Sequence, residues 1–221
     1  IGSRMVRVDA EEKVTGRAVY AEDICLPRMI HGAVVRSTRA HAKILSIDTS
    51  AAEKLPGVKA VVCGRDIDMG YYGYELRDHR IFALEKVRYL GEPIAAVAGT
   101  TPDIAREAAA LVKVEYEELP AVFDPDEALE ADAPHVHEDQ SLYELDWETE
   151  RGGNLCYKMQ IGDGDVEEGF ANSDVVIEGV YETPVAHAGS IEPHCSTAMV
   201  DPSGRTTVWT TTQKPFVFRS Y

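Results

Sequence analysis

Pro93-Ile94-Ala95-Ala96-Val97-Ala98, then Thr101-Pro102-Asp103-Ile104-Ala105-Arg106-Glu107-Ala108-Ala109-Ala110-Leu111-Val112, then Val114-Glu115-Tyr116-Glu117 set three elements of different period in a row. The first is a short apolar run, which reads as a strand. The second begins Thr-Pro, with proline in the tolerated first helical turn, and carries Ile104, Ala105, Ala108, Ala109 and Val112 at helical spacing. The third alternates apolar and charged residues and reads as a strand again.

Upstream, residues 29–36, 42–48 and 58–62 are short apolar or alternating runs bounded by Gly, Pro and Ser, and predict three strands. Ser50 to Leu55 predicts a short helix with Ser50 as N-cap and Pro56-Gly57 as its stop. Val87-Arg88-Tyr89 predicts a further strand that meets 93–98 through Gly91. Downstream, 155–161 and 175–181 read as strands, and 165–170 reads as a short helix with an acidic first turn. Residues 190–201 and 205–212 straddle Pro202-Ser203-Gly204 and predict a hairpin. This irregular order predicts an α+β fold, not a doubly wound parallel sheet. The acidic, aperiodic stretch 131–152 reads as a linker or a long surface connection, so the expected organisation is 1–130, 131–152 and 153–221.

Apolar residues make up 44% of the 221-residue chain and charged residues 27%, the balance of a globular domain and not of a disordered segment. No apolar stretch approaches the roughly 20 residues that span a bilayer. The net charge of −16, from 38 acidic and 22 basic residues, repels a phosphate backbone and argues against a nucleic-acid partner. It suits solubility or steering toward a basic surface. Ile1 to Arg7 carry no charged-then-apolar secretory pattern. Cys25, Cys63, Cys156 and Cys195 are far apart and form no Cys-x-x-Cys pair, which signals neither zinc nor an iron–sulfur cage. They read as mostly buried free thiols in a reducing, cytoplasmic compartment.

Three stretches together carry a resemblance. The first is Arg7-Val8-Asp9 with Lys13-Val14-Thr15-Gly16-Arg17-Ala18-Val19-Tyr20-Ala21-Glu22-Asp23-Ile24. The second runs through His31-Gly32, Arg36-Ser37, His41-Ala42, Ile47-Asp48, Pro56-Gly57-Val58, Val87-Arg88-Tyr89-Leu90-Gly91-Glu92-Pro93 and Val114 to Pro120. The third is Gly162 to Phe170, Ile191-Glu192-Pro193-His194-Cys195 and Thr212-Gln213. In order and approximate spacing the chain resembles the start of the molybdopterin-binding large subunit of the molybdenum hydroxylases, the family of xanthine dehydrogenase, aldehyde oxidoreductase, carbon monoxide dehydrogenase and hydroxybenzoyl-CoA reductase.

The resemblance implies an a/b hammerhead domain with an N-terminal lead-in over 1–130, then the opening, incomplete segment of the molybdopterin-binding domain from 153. It implies an oxidoreductase that hydroxylates or reduces an aldehyde, N-heterocycle or aromatic substrate. The implied cofactor is molybdenum-molybdopterin, in plain or cytosine dinucleotide form, and electrons leave to iron–sulfur and FAD groups on partner domains or subunits. Gln213 matches the glutamine that hydrogen-bonds the molybdenum oxo ligand, and is the one catalytic and cofactor-binding residue expected here. The family's glycine-rich loop, further pterin-binding segments and late glutamate base are expected after Tyr221, so the isolated chain is expected to be inactive. The partners implied are the remainder of the molybdenum subunit, an iron–sulfur subunit and a flavin subunit. The competing reading is a non-catalytic hammerhead module that serves assembly.

Other residues invite simpler accounts. His135-Val136-His137-Glu138-Asp139 has the composition of a metal site but reads as surface polarity within the acidic stretch. His194 and Cys195 are sequence neighbours that a strand would send to opposite faces, which argues against a nucleophile pair, and Glu192 reads as a structural carboxylate. Lys13 to Gly16 lacks phosphate-loop spacing. Tyr71, Tyr72 and Tyr74 read as a packed loop.

Overall fold

Two short α+β units make up the structure, a computed structural model that describes residues 2, 4–67, 69–138 and 140–220, the side chains of Phe218 and Ser220 aside. In chain order the helices are α1 (Ala10–Val14), α2 (Ser50–Glu53), α3 (Pro102–Leu111), α4 (Pro125–Ala128), α5 (Val166–Ala171) and α6 (Pro215–Ser220). The strands are β1 (His31–Arg36), β2 (Ala42–Asp48), β3 (Val58–Cys63), β4 (Leu76–Arg77), β5 (Lys86–Val87), β6 (Pro93–Gly99), β7 (Lys113–Glu118), β8 (Glu144–Leu145), β9 (Ser196–Val200) and β10 (Thr206–Thr210). Residues 29–172 form one unit, and 1–28 with 173–221 form the other.

In the larger unit, β6 lies between β1 and β3, and β2 lies between β5 and β7. Every pairing is antiparallel. The buried, small-residue run of β6 explains its central place, because Ile94, Ala95 and Val97 are almost fully covered. Although 87–89 and 93–98 meet at Gly91, the structure sends them to different sheets, β5 beside β2 and β6 beside β1. Helix α3 starts where Thr101 Oγ1 accepts the Ile104 N–H at 3.2 Å, and Pro102 occupies the first turn. It covers the β1-β6-β3 sheet with Ala105 and Ala108. One core cluster gathers Ala52, Val97, Ala108 and Val112; a second gathers Ala42, Ala83, Val87 and Ile94; Ile47 and Val114 pack against both. The N-cap of α2 is Thr49, one residue before the expected Ser50.

The 131–152 stretch, expected as a linker, is folded onto this unit. Asn154 holds it: the amide donates to the Ala128 and Pro134 carbonyls at 2.9 and 3.0 Å and accepts the Val136 N–H at 2.9 Å. Tyr143 is 3% exposed, stacks edge-on against Tyr71 and takes Arg151 on its carbonyl, while β8 pairs with β4. Polar clamps and one aromatic, not periodic apolar residues, order the segment.

Two predicted strands are absent among the described residues. Over 155–161 only Leu155 makes a bridge, to Gly152, and Thr149 Oγ1 accepts the Lys158 N–H and donates to the Lys158 carbonyl in place of a neighbouring strand. Over 175–181 the backbone has no ladder partner, and Val175, Ile177, Val180 and Tyr181 are largely exposed. Alternating residues make a strand only where a second strand meets their amides.

In the smaller unit the predicted hairpin forms, with Val208 opposite Ala198 and Trp209 opposite the buried Thr197. Asp201 shapes its turn by accepting the N–H of Ser203 and of Arg205 at 2.8 and 3.1 Å and the Ser203 hydroxyl at 2.6 Å. These bonds hold its carboxyl below the usual range, the Ser203 hydroxyl first. A 3₁₀ turn, Ala21–Asp23, lies against β9. Among the described residues no helix is long and apolar enough to cross a membrane.

Candidate functional site

Ser196 and Thr210 sit opposite one another at the open end of the hairpin, their hydroxyls 2.6 Å apart. Beyond them the chain stays pinned: the Thr211 N–H donates to the Cys195 carbonyl at 3.1 Å, and its hydroxyl donates to the Glu192 carboxylate at 3.3 Å. Glu192 is therefore a carboxylate that anchors the Thr211 side chain, a structural role of the kind expected of it. Cys195 contributes its carbonyl to the same end of the hairpin, and His194 is exposed; of the four cysteines expected to be mostly buried, Cys63 alone is buried, Cys195 is half-buried, and Cys25 and Cys156 are exposed. Thr212 Oγ1 then accepts the Lys214 N–H at 3.1 Å, which turns the chain into α6 at Pro215.

Gln213 stands in that bend, exposed, between β10 and α6. It is three residues beyond the last paired residue of β10, so the amide is not at the strand end itself but on a turn that Thr211 and Thr212 fix. Among the described residues its side chain makes no hydrogen bond. A neutral amide on fixed backbone can donate to an oxygen of a bound group without adding charge, a donor chemistry that fits an anionic oxygen-bearing cofactor.

Within the acidic stretch His137 and Glu138 have partners of their own. His137 Nδ1 lies 2.9 Å from the Tyr143 hydroxyl, and Glu138 receives Lys86 Nζ at 2.5 and 2.6 Å. The remaining carboxylate of that motif, Asp139, lies outside the described residues. Tyr71 packs as a loop residue against Tyr143, and Tyr72 bridges His79 by both backbone bonds at 2.8 and 3.0 Å. A cluster that sequence reasoning missed surrounds Lys86: Arg80, Arg88 and Lys43 line the same cavity. They lie up to 45 positions apart in sequence, on different elements, and no pattern marks them.

Residues 15–120 match the family model described as aldehyde oxidase and xanthine dehydrogenase, a/b hammerhead domain, and residues 147–221 match the molybdopterin cofactor-binding domain. The chain belongs to the molybdenum hydroxylase family. It is 38% identical to a probable xanthine dehydrogenase subunit of Bacillus subtilis over 94% of this chain and 26% of that protein. It is 36% identical to the nicotinate dehydrogenase large molybdopterin subunit of Eubacterium barkeri over 97% of this chain and 48% of that one. Among solved structures, CO dehydrogenase from Oligotropha carboxidovorans superposes with a TM-score of 0.86 at 33% identity, over 99% of this chain and 28% of the other. The chain thus spans between about a quarter and a half of the length of these relatives.

Proposed function

We propose that this chain is the opening part of the molybdopterin-binding subunit of a molybdenum hydroxylase, with the hammerhead reading for 1–130 and the molybdopterin-domain reading from 153. The observation that carries the proposal is the succession, in one chain, of a hammerhead match at 15–120 and a molybdopterin-domain match at 147–221. The whole enzyme oxidises or reduces an aldehyde, N-heterocycle or aromatic substrate, in a cytoplasmic compartment. It passes electrons to iron–sulfur and flavin groups on partner units, and the pterin is carried in plain or cytosine dinucleotide form.

When bound, the cofactor supplies a two-electron centre and an activated water-derived nucleophile. The part of this chain is positional. Glu192 and the Cys195 carbonyl hold Thr211, Thr212 holds the bend, and Gln213 presents its amide N–H to the cofactor from that fixed backbone. A preorganised donor of this kind is worth on the order of 3 kcal/mol, or roughly 10² to 10³ in rate.

In the complete enzyme, Gln213→Ala should lower kcat by that factor while the molybdenum content, measured by elemental analysis, stays near one per subunit. Unchanged turnover at full molybdenum loading would remove Gln213 from the site.

A further inference from the structure

Against a net charge of −16, four cations converge on one cavity of about 480 Å³ in the larger unit: Lys43, Arg80, Lys86 and Arg88. Among the described residues that line it, Glu85 and Glu138 are the carboxylates. Lys86 is committed to Glu138, and Lys43 reaches Glu117 at 2.8 Å. The two arginines are left. Arg80 lies over the Tyr71 ring, its guanidinium carbon 4.3 Å from the centroid, and has no ion pair or side-chain hydrogen bond among the described residues. Stacking occupies the flat face of a guanidinium and leaves its N–H edge for an acceptor. Arg88 spends Nη1 on the Lys86 carbonyl at 3.4 Å, while its Nε is buried with no acceptor among the described residues. That nitrogen has almost no accessible surface, so Arg88 acts on a ligand in the cavity through its charge, which no carboxylate among the described residues meets at ion-pair distance.

The rest of the lining adds shape. Leu84 and Leu142 contribute exposed apolar surface beside the guanidiniums, and the volume lies in the range of small-molecule sites, roughly 300 to 1,000 Å³. Guanidinium forks match carboxylate and phosphate oxygens alike.

We infer that this cavity binds a small organic oxyanion, a carboxylate or phosphate with an apolar body, with Arg80 and Arg88 on the anion and Leu84 and Leu142 on the body. Nothing in the family assignment or in the role of Gln213 bears on this site.

Calorimetric titration of the purified full chain at low ionic strength tests it, with benzoate, phenyl phosphate and the neutral benzyl alcohol as probes. At least one anion should bind saturably, benzyl alcohol should bind at least tenfold more weakly, and the tighter anion identifies the head group. Arg80→Gln should weaken that anion about tenfold or more, the loss expected for one charge-assisted contact. Among the described residues Arg80 has no hydrogen bond to lose and only its stacking on Tyr71 is removed, so circular dichroism should show Arg80→Gln folded, and Arg88→Gln is the second arm under the same check. Absence of binding by both anions, equal binding of benzyl alcohol, or unaltered affinity in Arg80→Gln would overturn the inference.

Discussion

His137 shows how a single side chain sets a response to acid. Burial lowers its pKa to about 4, helped by the charges of Arg88, Lys86 and His79 and opposed by Asp78, so the imidazole is neutral in the fold and faces the Tyr143 hydroxyl. The unfolded chain, with histidine at its ordinary value of about 6.5, takes up the proton first. Stability from this group is therefore complete above that value and is lost as pH falls toward about 4. His137→Gln keeps a group able to hydrogen-bond Tyr143 and removes the titration. Its thermal midpoint should fall less than that of the parent between pH 7 and pH 4.5, and parallel curves would show that His137 is solvated. At this scale the expectation for Gln213 rests on its motif, whereas no motif points to Arg80 and Arg88, because a cation gains meaning from the partners it lacks in space.

At the scale of elements, Gly99 ends β6 where α3 crosses it. A Cβ built there would stand 2.8 Å from the Ala105 N and 3.1 Å from its Cα, atoms of helix backbone that cannot rotate away. Gly99→Ala should push α3 off the sheet and cost about 1 to 3 kcal/mol, read as a lower denaturant midpoint. The elements of this unit were legible in sequence for a physical reason: β1, β7 and α3 each bury one periodic face, and β6 is a short apolar run covered on both sides. The segments 155–161 and 175–181 carry the same alternation without a ladder partner, and period alone does not reveal whether a partner arrives. The acidic stretch 131–152 fails in the opposite sense, since Asn154, Arg151 and Tyr143 order it through single contacts that have no period at all.

Across the whole molecule, protection is uneven. Hydrogen exchange on the 221-residue chain should find the amides of β6 slow and those of 175–181 exchanging at nearly unprotected rates. Slow exchange at 175–181 would mean that the segment is paired. The larger unit has a further property in its strand order, since the chain visits its two three-stranded sheets alternately: β1 and β3 in one, β2 and β5 in the other, then β6 and β7 to complete them in turn. A ribosome releases this chain from its N-terminus, so β1 and β3 emerge with nothing to sit between them until Pro93 to Gly99 follow. Neither sheet can close early and shelter the other. The nascent protein carries unmatched, apolar strand edges from the emergence of β1 until β6 and β7 follow, and that interval is when a chaperone that covers such edges matters most to its yield.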